Sequence, residues 1–341
     1  MRALAVTGAA GSVGRRVVEL LAAEPGVGTI RAFDRIGLVS NAEVDFCQVD
    51  LADPGTPDLF AGCDTIVHLA DDPRRRHDPM VAATMLERVL DGAEQVGCPH
   101  FVLLSSALVY GAYPTNPIPL TEHHHRRPNP GLAYAVGKAR LEGQAQAWAE
   151  RTGADLAILR PTATLSERGA SYIAGTLRTA TSIRPEHVDA PVQFLHHDDL
   201  ALAVTLVAAK RMKSIYNVAP DGWIGPDVFR DLLAEAELRW PEPVDEAYGR
   251  LTRAVHQRRM EAGIAPYIDH SWVIANDRLR AAGWDPAFSN EEAFVLGTPP
   301  PWWRAFSSRR RQELALGAVG VATAGAVAGV GLAARWLIRD R

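Results

Sequence analysis

Short apolar runs alternate along the first half of the chain with segments in which apolar residues recur at helical spacing. From Val13 onward, for example, Val17, Val18 and Leu21 lie on one helix face. Strands that alternate with helices are typical of a parallel α/β sheet with right-handed crossovers. The strands predicted in this way are 3–7, 30–33, 44–51, 64–70 and 101–104, and a longer helix is predicted over 80–96.

The first strand ends in a turn that carries a glycine at every third position, Gly8, Gly11 and Gly14. Such a turn brings the backbone close to a pyrophosphate and lets the following helix pack closely on its strand. The amides at the start of that helix, around Ser12 and Val13, favour an anion. The pattern predicts a Rossmann-type, doubly wound dinucleotide-binding sheet; the alternative is a tight turn that binds nothing.

An acid follows the second predicted strand: Asp34 lies twenty residues after Gly14. A carboxylate there can accept hydrogen bonds from both ribose hydroxyls of NAD and would repel the 2′-phosphate of NADP. We therefore expect NAD as the cofactor. The neighbouring Arg35 keeps NADP as the less favoured alternative.

The ends of the third and fourth predicted strands supply further candidate cofactor contacts, since ligands of such sheets bind at the carboxyl ends of the strands. Asp50 can reach an adenine amino group, or it can instead cap the turn that follows. The small Ala70 would let the cofactor approach, and the nearby His68 is interpreted as a packed histidine rather than a catalyst. The contacts expected here are Asp50, Leu51, Leu69 and Ala70.

A tyrosine and a lysine, Tyr134 and Lys138, are four residues apart at the start of a later predicted helix. Positions i and i+4 share a helix face, so both side chains point the same way. An ammonium group near a phenol favours the phenolate and lowers a tyrosine pKa that starts at about 10. Such a tyrosine can take a proton from an alcohol. Ser106, after the fifth strand, can hydrogen-bond the same oxygen, so the three residues form a candidate catalytic set.

Composition and charge narrow the classes of function. The chain has 341 residues, of which 47% are hydrophobic, and a net charge of -4. This length and hydrophobic content fit a globular protein with a sizeable core. The net charge lacks the basic excess that is typical of nucleic-acid-binding proteins, so we expect no nucleic-acid partner. No signal peptide precedes the first strand, so we expect a catalytic domain in the cytoplasm.

Neither the cysteines nor the histidines form a recognisable metal site. Cys47, Cys63 and Cys98 are far apart in the sequence, and we expect reduced, buried thiols. The clusters His123–His125 and His196–His197 lack the helical or Cys/His spacing of a ligand set. We therefore predict no bound metal.

A linker rich in proline, tryptophan and arginine, 298–313, leads to a stretch without charged residues, 314–334. A bilayer-spanning helix needs about 20 residues, so this stretch is long enough to cross a membrane. The spacing of Gly325 and Gly329 would let two such helices approach closely. We expect a transmembrane helix that holds the catalytic domain at the cytoplasmic face. The alternative is a helix docked on the domain or a disordered tail.

Several stretches within about the first 205 residues together resemble one enzyme family. They are TGAAGSVG, the strand that ends at Asp34, VHLA, FVLLSSALVYG, YAVGK, ILRP and FLHHDDLALAV. In this order they resemble an extended short-chain dehydrogenase/reductase of the NAD-dependent epimerase/dehydratase family.

The resemblance implies roles for individual residues. Ser106, Tyr134 and Lys138 would be the catalytic set, with Lys138 also contacting the nicotinamide ribose, and the loop after Pro161 would border the nicotinamide. Asp199 matches the family's acid before a helix, where a structural role as a helix cap is the alternative. The implied domains are a nucleotide-binding domain over 1–210, of which 166–190 contribute to the substrate lobe, and a substrate-binding lobe over 211–297.

Some departures from the family's pattern concern the substrate. Residues 71–113 contain no asparagine, which the family often has before its serine strand. The stretch 191–196 lacks the arginine with which sugar-nucleotide epimerases hold the diphosphate. The stretch 261–266 lacks a match for their second arginine, although Arg258 and Arg259 lie close by. A diphosphate without bidentate arginine partners would bind weakly.

Three functions remain open, two of them enzymatic and one without catalysis. The leading one is an NAD-dependent enzyme in which Tyr134 removes the proton of a secondary alcohol, Ser106 polarises the oxygen and hydride passes to the nicotinamide. Return of the hydride would make it a nucleotide-sugar epimerase. The second is a hydroxysteroid-dehydrogenase-like enzyme that oxidises a lipid-like alcohol. The third is an NAD-binding sensor or scaffold without turnover, against which the intact catalytic set argues. A homodimer is expected by analogy with the family.

Overall fold

The computed structural model describes residues 2–40, 42–71, 79–183, 189–236 and 263–298. The chain divides into two compact units. The first unit comprises 1–230 and 260–298 and carries the sheet and the candidate site. The second comprises 231–259 and 299–341, of which only 231–236, the end of one helix, are described.

Seven parallel strands form the main sheet of the first unit. They are β1 Arg2–Thr7, β2 Val27–Asp34, β3 Asp45–Gln48, β4 Thr65–His68, β5 His100–Leu104, β6 Asp155–Pro161 and, later in the chain, β10 Ser214–Val218. Their order in the sheet is β10-β6-β5-β4-β1-β2-β3. The order reverses between β1 and β4, which is where ligands bind in doubly wound sheets. The predicted Rossmann-type fold is confirmed.

A second, three-stranded sheet lies between β6 and β10 in the sequence. Its strands are β7 Ala163–Ser166, β8 Gly169–Ala170 and β9 Phe194–His196, in the order β8-β7-β9. The chain therefore leaves the main sheet after β6 and returns to it at β10, which pairs with β6. Since β10 begins at Ser214, the main sheet continues past residue 210.

Nine α-helices occur in the described part of the chain. They are α1 Ser12–Ala23, α2 Pro79–Gln95, α3 Ala133–Thr152, α4 Tyr172–Ile183, α5 His197–Ala209, α6 Pro226–Ala236, α7 Pro266–Asp269, α8 Asp277–Ala281 and α9 Asn290–Leu296. Two short 3-10 helices span Thr56–Phe60 and Ala107–Tyr110.

The hydrophobic core forms two layers, one on each face of the main sheet. On one face, residues of α1 and α5, such as Leu21 and Val204, pack on the strands. On the other, α2 and α3 supply Leu86 and Trp148. The ring of Trp148 lies 5.5 Å from that of Phe101 on β5. Both faces are covered, as a parallel sheet requires.

The third strand is shorter than the predicted 44–51 and ends at Gln48. Beyond it, the Asp50 carboxylate accepts a hydrogen bond from the Ala52 amide at 3.0 Å, and the chain turns. The local hydrogen bond explains why an apolar pattern that continues to Leu51 does not continue as a strand.

The described residues contain no helix that is long and apolar enough to cross a bilayer. The predicted transmembrane stretch 314–334 and the linker from 299 onward lie outside the described residues, so both stay predictions.

Candidate active site

The glycine turn between β1 and α1 has the geometry that close packing demands. Gly8 has a φ of +72°, and a Cβ there would lie 2.7 Å from the Ala70 nitrogen. A Cβ on Gly14 would lie 2.0 Å from the Gly8 carbonyl oxygen. At Gly11 the nearest atom to such a Cβ is at 3.3 Å, so this side of the turn is more open. The turn thus leaves bare backbone at the start of α1, which fits a dinucleotide pyrophosphate.

The Asp34 carboxylate stands at the end of β2 and is tied to this turn. Its Oδ2 accepts a hydrogen bond from the Ala10 amide at 2.9 Å, and its Oδ1 accepts one from the Ile36 amide at 3.2 Å. The carboxylate is therefore held beside the turn, in the place where a ribose diol of NAD would need an acceptor.

Tyr134 and Lys138 project from the first turns of α3. The Lys138 Nζ lies 5.5 Å from the centre of the Tyr134 ring and donates a hydrogen bond to the Leu104 carbonyl at 3.4 Å. Lys138 is buried, and Ser106 follows β5, with its Oγ accepting a hydrogen bond from the Leu108 amide at 3.3 Å. The structure thus holds Lys138 against the strand end that precedes Ser106.

A single cavity brings together the glycine turn, the ends of β4, β5 and β6, and the first residues of α3, α4 and α5. The predicted residues that line it are Gly8, Gly11, Ser12, Val13, Gly14, Leu69, Ser106, Tyr134, Lys138 and Pro161. Thr162 and Thr164, from the loop predicted to border the nicotinamide, also line it, as do Ser171, Tyr172 and Ile173 from the segment 166–190 that was assigned to the substrate lobe. The remaining lining residues were not predicted as contacts: Asp71, Leu104, Ser105, His197 and Leu200. The roles of all these residues stay predictions, but the arrangement can hold a cofactor and an alcohol side by side.

Four predicted cofactor contacts do not line this cavity. Asp34 and Ala70 instead contact the glycine turn. Asp50 caps the turn after β3, which is the alternative that the sequence left open. The Leu51 side chain is buried in the core with Phe60. Any contact of these residues with the cofactor remains a prediction.

His68 is a packed histidine, as interpreted. Its Nδ1 lies 2.9 Å from the Thr7 hydroxyl, and its side chain is buried. Burial, with a smaller contribution from the charge of Lys138, lowers the pKa of His68 to about 3. The ring is therefore neutral at neutral pH.

His197 lines the cavity, although the sequence analysis considered it only as a metal ligand and rejected that role. Its Nδ1 lies 2.8 Å from the Ser166 hydroxyl. Burial, and next the neighbouring His196, lower the pKa of His197 to about 4. No cluster that could hold a metal ion occurs among the described residues. The first turn of α5 lies beside the cavity, so the position of His197 at the start of this helix was the one signal that could have indicated it as a cavity residue.

Asp199 has structural contacts, but it does not cap α5, which was the alternative given for it. The cap is His196, whose Nδ1 accepts a hydrogen bond from the Asp198 amide. Asp199 lies inside the first turn, and its carboxylate accepts hydrogen bonds from the Ala287 and Phe288 amides at 2.8 and 3.1 Å. It joins α5 to the turn before α9, a long-range contact that sequence spacing does not reveal.

The stretch 191–196, which lacks an arginine, is held by Gln193. The Gln193 amide donates to the Gly222 and Ile274 carbonyls at 2.9 and 3.1 Å and accepts from the Ile274 amide at 3.0 Å. Its side chain is thus fully engaged within the protein.

A comparison with models of known protein families decides to which family the chain belongs. A model of the NAD dependent epimerase/dehydratase family matches residues 4–219, more than half of the chain. The chain belongs to the NAD-dependent epimerase/dehydratase family. Membership confirms the resemblance to extended short-chain dehydrogenases/reductases and the expectation of an NAD-dependent enzyme.

Two curated relatives of this family member carry names that state no function. One, from Mycobacterium tuberculosis H37Rv, is 26% identical over 322 residues, which cover 85% of this chain and 81% of the relative. Another, from Sinorhizobium fredii, is 32% identical over 142 residues, which cover 38% of this chain and 33% of that protein.

Solved structures share the fold of this family member. The UDP-glucose 4-epimerase of Thermus thermophilus, in complex with NAD, superposes with a TM-score of 0.65 at 21% identity, covering 86% of this chain and 97% of its own. A dTDP-glucose 4,6-dehydratase from Streptomyces venezuelae, with NAD bound, gives 0.65 at 20% identity, covering 89% and 97%. At these identities the likeness concerns the fold alone.

Proposed function

We propose that the protein is an NAD-dependent epimerase that oxidises a secondary alcohol of a nucleotide-sugar and returns the hydride to the opposite face. The observation that carries the proposal is the common cavity, in which Ser106, Tyr134 and Lys138 stand beside the glycine turn. NAD, when bound there, supplies the hydride acceptor.

The chemistry assigned to this chain is proton transfer and positioning. The Tyr134 hydroxyl, deprotonated, would take the proton of the substrate alcohol, and Lys138, 5.5 Å from the ring, stabilises the phenolate. The Ser106 hydroxyl would hydrogen-bond the same substrate oxygen and strengthen this contact as the oxygen becomes a carbonyl. Removal of one proton and one hydride leaves a keto intermediate, and the reverse transfers restore an alcohol.

The lining of the cavity favours a sugar over an apolar ring. It includes four hydroxyl-bearing residues, Thr162, Thr164, Ser171 and Tyr172. The Tyr172 ring lies 5.6 Å from the Tyr134 ring and extends the aromatic surface of the site. Polar groups placed in this way suit a substrate with several hydroxyls. A UDP-glucose 4-epimerase from Thermotoga maritima, solved with UDP-glucose, has a similar fold.

A specific observation favours a second candidate, an enzyme that oxidises a lipid-like alcohol. No arginine occurs in 191–196, and Gln193 is engaged by backbone groups. The arginine match missing from 261–266 adds to this; of that stretch, only residues 261 and 262 lie outside the described residues.

Calorimetry of UDP binding to the NAD-saturated full chain separates the two candidates. The epimerase proposal expects binding in the micromolar range, because the nucleotide part carries much of the affinity for a nucleotide-sugar. Absence of measurable UDP binding, with NAD bound normally, would overturn the nucleotide-sugar proposal and favour a lipid-like alcohol.

Anchoring and dimerisation remain parts of the proposal. The stretch 314–334 would insert in the cytoplasmic membrane, with the catalytic domain in the cytoplasm. Deletion of this stretch is expected to move the protein from the membrane fraction to the soluble fraction; an unchanged distribution would contradict the anchor. Light scattering of the deletion variant would show the mass of a dimer if the catalytic domain self-associates.

A further inference from the structure

One buried carboxylate, that of Glu142, meets two segments that border the cavity. Its Oε1 accepts a hydrogen bond from the Ser105 hydroxyl at 2.5 Å. The Arg160 guanidinium donates two more, from Nε at 2.9 Å and from Nη2 at 2.6 Å. Glu142 is fully buried and Arg160 is 2% exposed, so solvent does not weaken the contacts.

The segments that meet at Glu142 carry the candidate catalytic residues. Glu142 lies one helical turn after Lys138 and two turns after Tyr134 on α3. Ser105 directly precedes Ser106 at the end of β5, and Arg160 directly precedes Pro161 at the end of β6. One carboxylate therefore connects the helix that bears Tyr134 and Lys138 with the strand ends that bear Ser106 and Pro161.

The arrangement is costly if its only purpose is stability. Replacing a buried ion pair by apolar groups of similar volume is often neutral or stabilising, because both charges must lose their water. What such a pair can add is a fixed geometry, since a bidentate guanidinium–carboxylate contact sets both distance and orientation. Arg160 is further held over the Tyr110 ring, with its Cζ 4.7 Å from the ring centre, and the Tyr110 hydroxyl bonds to Asn217 on β10 at 2.8 Å.

We propose that Glu142, together with Arg160 and Ser105, is a positioning residue that sets the placement of Ser106 relative to Tyr134 and Lys138. The inference rests on the proposed roles of those three residues. A group held by packing and hydrogen bonds keeps its reactive geometry, whereas a shift of about 1 Å can cost on the order of 100-fold in rate.

A double-mutant cycle tests the inference with Ser105→Ala, Glu142→Asp and the double variant. Ser105→Ala leaves the ion pair between Glu142 and Arg160 in place. This variant can therefore still be measured if Glu142→Asp fails to fold. Each single variant is expected to lower kcat for conversion of UDP-glucose to UDP-galactose by about 10- to 100-fold. The double variant should lose little more than the worse single variant, because both changes break one connection.

Affinity for NAD, measured by calorimetry, is the readout that does not require turnover. Because Lys138 and Pro161 border the cofactor cavity, each of the same variants is expected to bind NAD at least about threefold more weakly than the wild type. The effects of the two single changes on NAD affinity should again not add in the double variant. If the wild type does not act on UDP-glucose, the proposed function fails, while this cycle still decides the positioning inference.

Glu150→Gln is the matched control, because Glu150 is an exposed carboxylate on the same helix. It is expected to change neither kcat nor NAD affinity. Additive effects in the cycle, or variants that only melt at lower temperature while NAD affinity stays at the wild-type value, would overturn the inference and leave Glu142 as a structural residue.

Discussion

Gly14 is a residue at which a single methyl group should disturb the cofactor turn. A Cβ there would meet the Gly8 carbonyl oxygen at 2.0 Å and the Ala9 Cα at 2.9 Å, both of them backbone atoms. Gly14→Ala is expected to lower the free energy of unfolding by about 1–3 kcal/mol, the usual cost of overpacking. It should also weaken NAD binding, because the turn must shift. Urea denaturation and calorimetry would measure the two effects.

Gly11→Ala separates packing from cofactor binding. Its Cβ would approach only the Gly8 carbonyl oxygen, at 3.3 Å, so the free energy of unfolding should change less than in Gly14→Ala. The NAD affinity should still fall, since the methyl group occupies the side where the pyrophosphate approaches. Equal losses of stability in the two variants would contradict this description of the turn.

Single residues were predictable where the chemistry depends on local spacing. Tyr134 and Lys138 follow from the i, i+4 rule, and the glycine turn follows from its three-residue spacing. Tyr172 and His197 reach the same cavity from α4 and α5, and no local pattern connects them with Tyr134. Glu142 lies four residues after Lys138 and so on the same face of α3 as Tyr134 and Lys138. This spacing was the one sequence signal that could have indicated the buried ion pair.

At the scale of elements, Asp199 fastens the first turn of α5 to the turn before α9. In Asp199→Ala the Ala287 and Phe288 amides would lose their acceptor, whereas the Trp284 ring nitrogen would keep its bond of 3.0 Å, because it donates to the backbone carbonyl of residue 199. The Asp199 carboxylate is fully buried, and a hydrogen bond to a charged group is worth about 1.5–3 kcal/mol, so the free energy of unfolding should fall by about 2 kcal/mol or more.

The adjacent Asp198→Ala is the matched control for that experiment. Asp198 pairs with Arg168 at 3.0 Å on the surface, where an ion pair is worth about 1 kcal/mol or less. Urea denaturation of both variants should therefore show a much larger loss for Asp199→Ala. Similar losses would mean that the α5 connection contributes little.

The first five strands of the main sheet, β1 to β5, were predictable because each is a distinct apolar run followed by a turn, whereas β6 and β10 were not predicted. The predicted length of β3 was wrong, since a hydrogen bond between Asp50 and Ala52 ends the strand. The three-stranded sheet was not predicted, because β8 has two residues and β9 three. Strands this short carry too few positions to show alternation, and long-range pairing decides their formation.

At the scale of the whole molecule, buried histidines predict how stability depends on pH. The pKa values of His68 and His197 are lowered to about 3 and about 4 by burial. Their contribution is fully present above the unfolded value of about 6.5 and is lost as pH falls through the folded pKa values. Between about pH 6 and pH 4.5, each histidine should reduce the free energy of unfolding by up to about 1.4 kcal/mol per pH unit.

His68→Gln tests this contribution, because glutamine can still bond Thr7 but does not titrate in this range. The slope of the free energy of unfolding against pH gives the number of protons taken up on unfolding, and in this variant that number should be smaller by about one. Urea denaturation at several pH values measures this slope. The exposed His125→Gln is the control and should leave the slope unchanged. An unchanged slope in His68→Gln would contradict the assignment of a buried, neutral ring.

The central claim is that Tyr134 transfers the proton when the bound alcohol is oxidised in the NAD cavity. The most direct measurement is the rate at which the NAD-loaded full chain converts UDP-glucose to UDP-galactose, compared between the wild type and Tyr134→Phe. Loss of a proton-transfer group should slow the wild-type conversion by about 100- to 10,000-fold while UDP-glucose affinity stays the same. Conversion at equal rates in the two proteins would contradict the account.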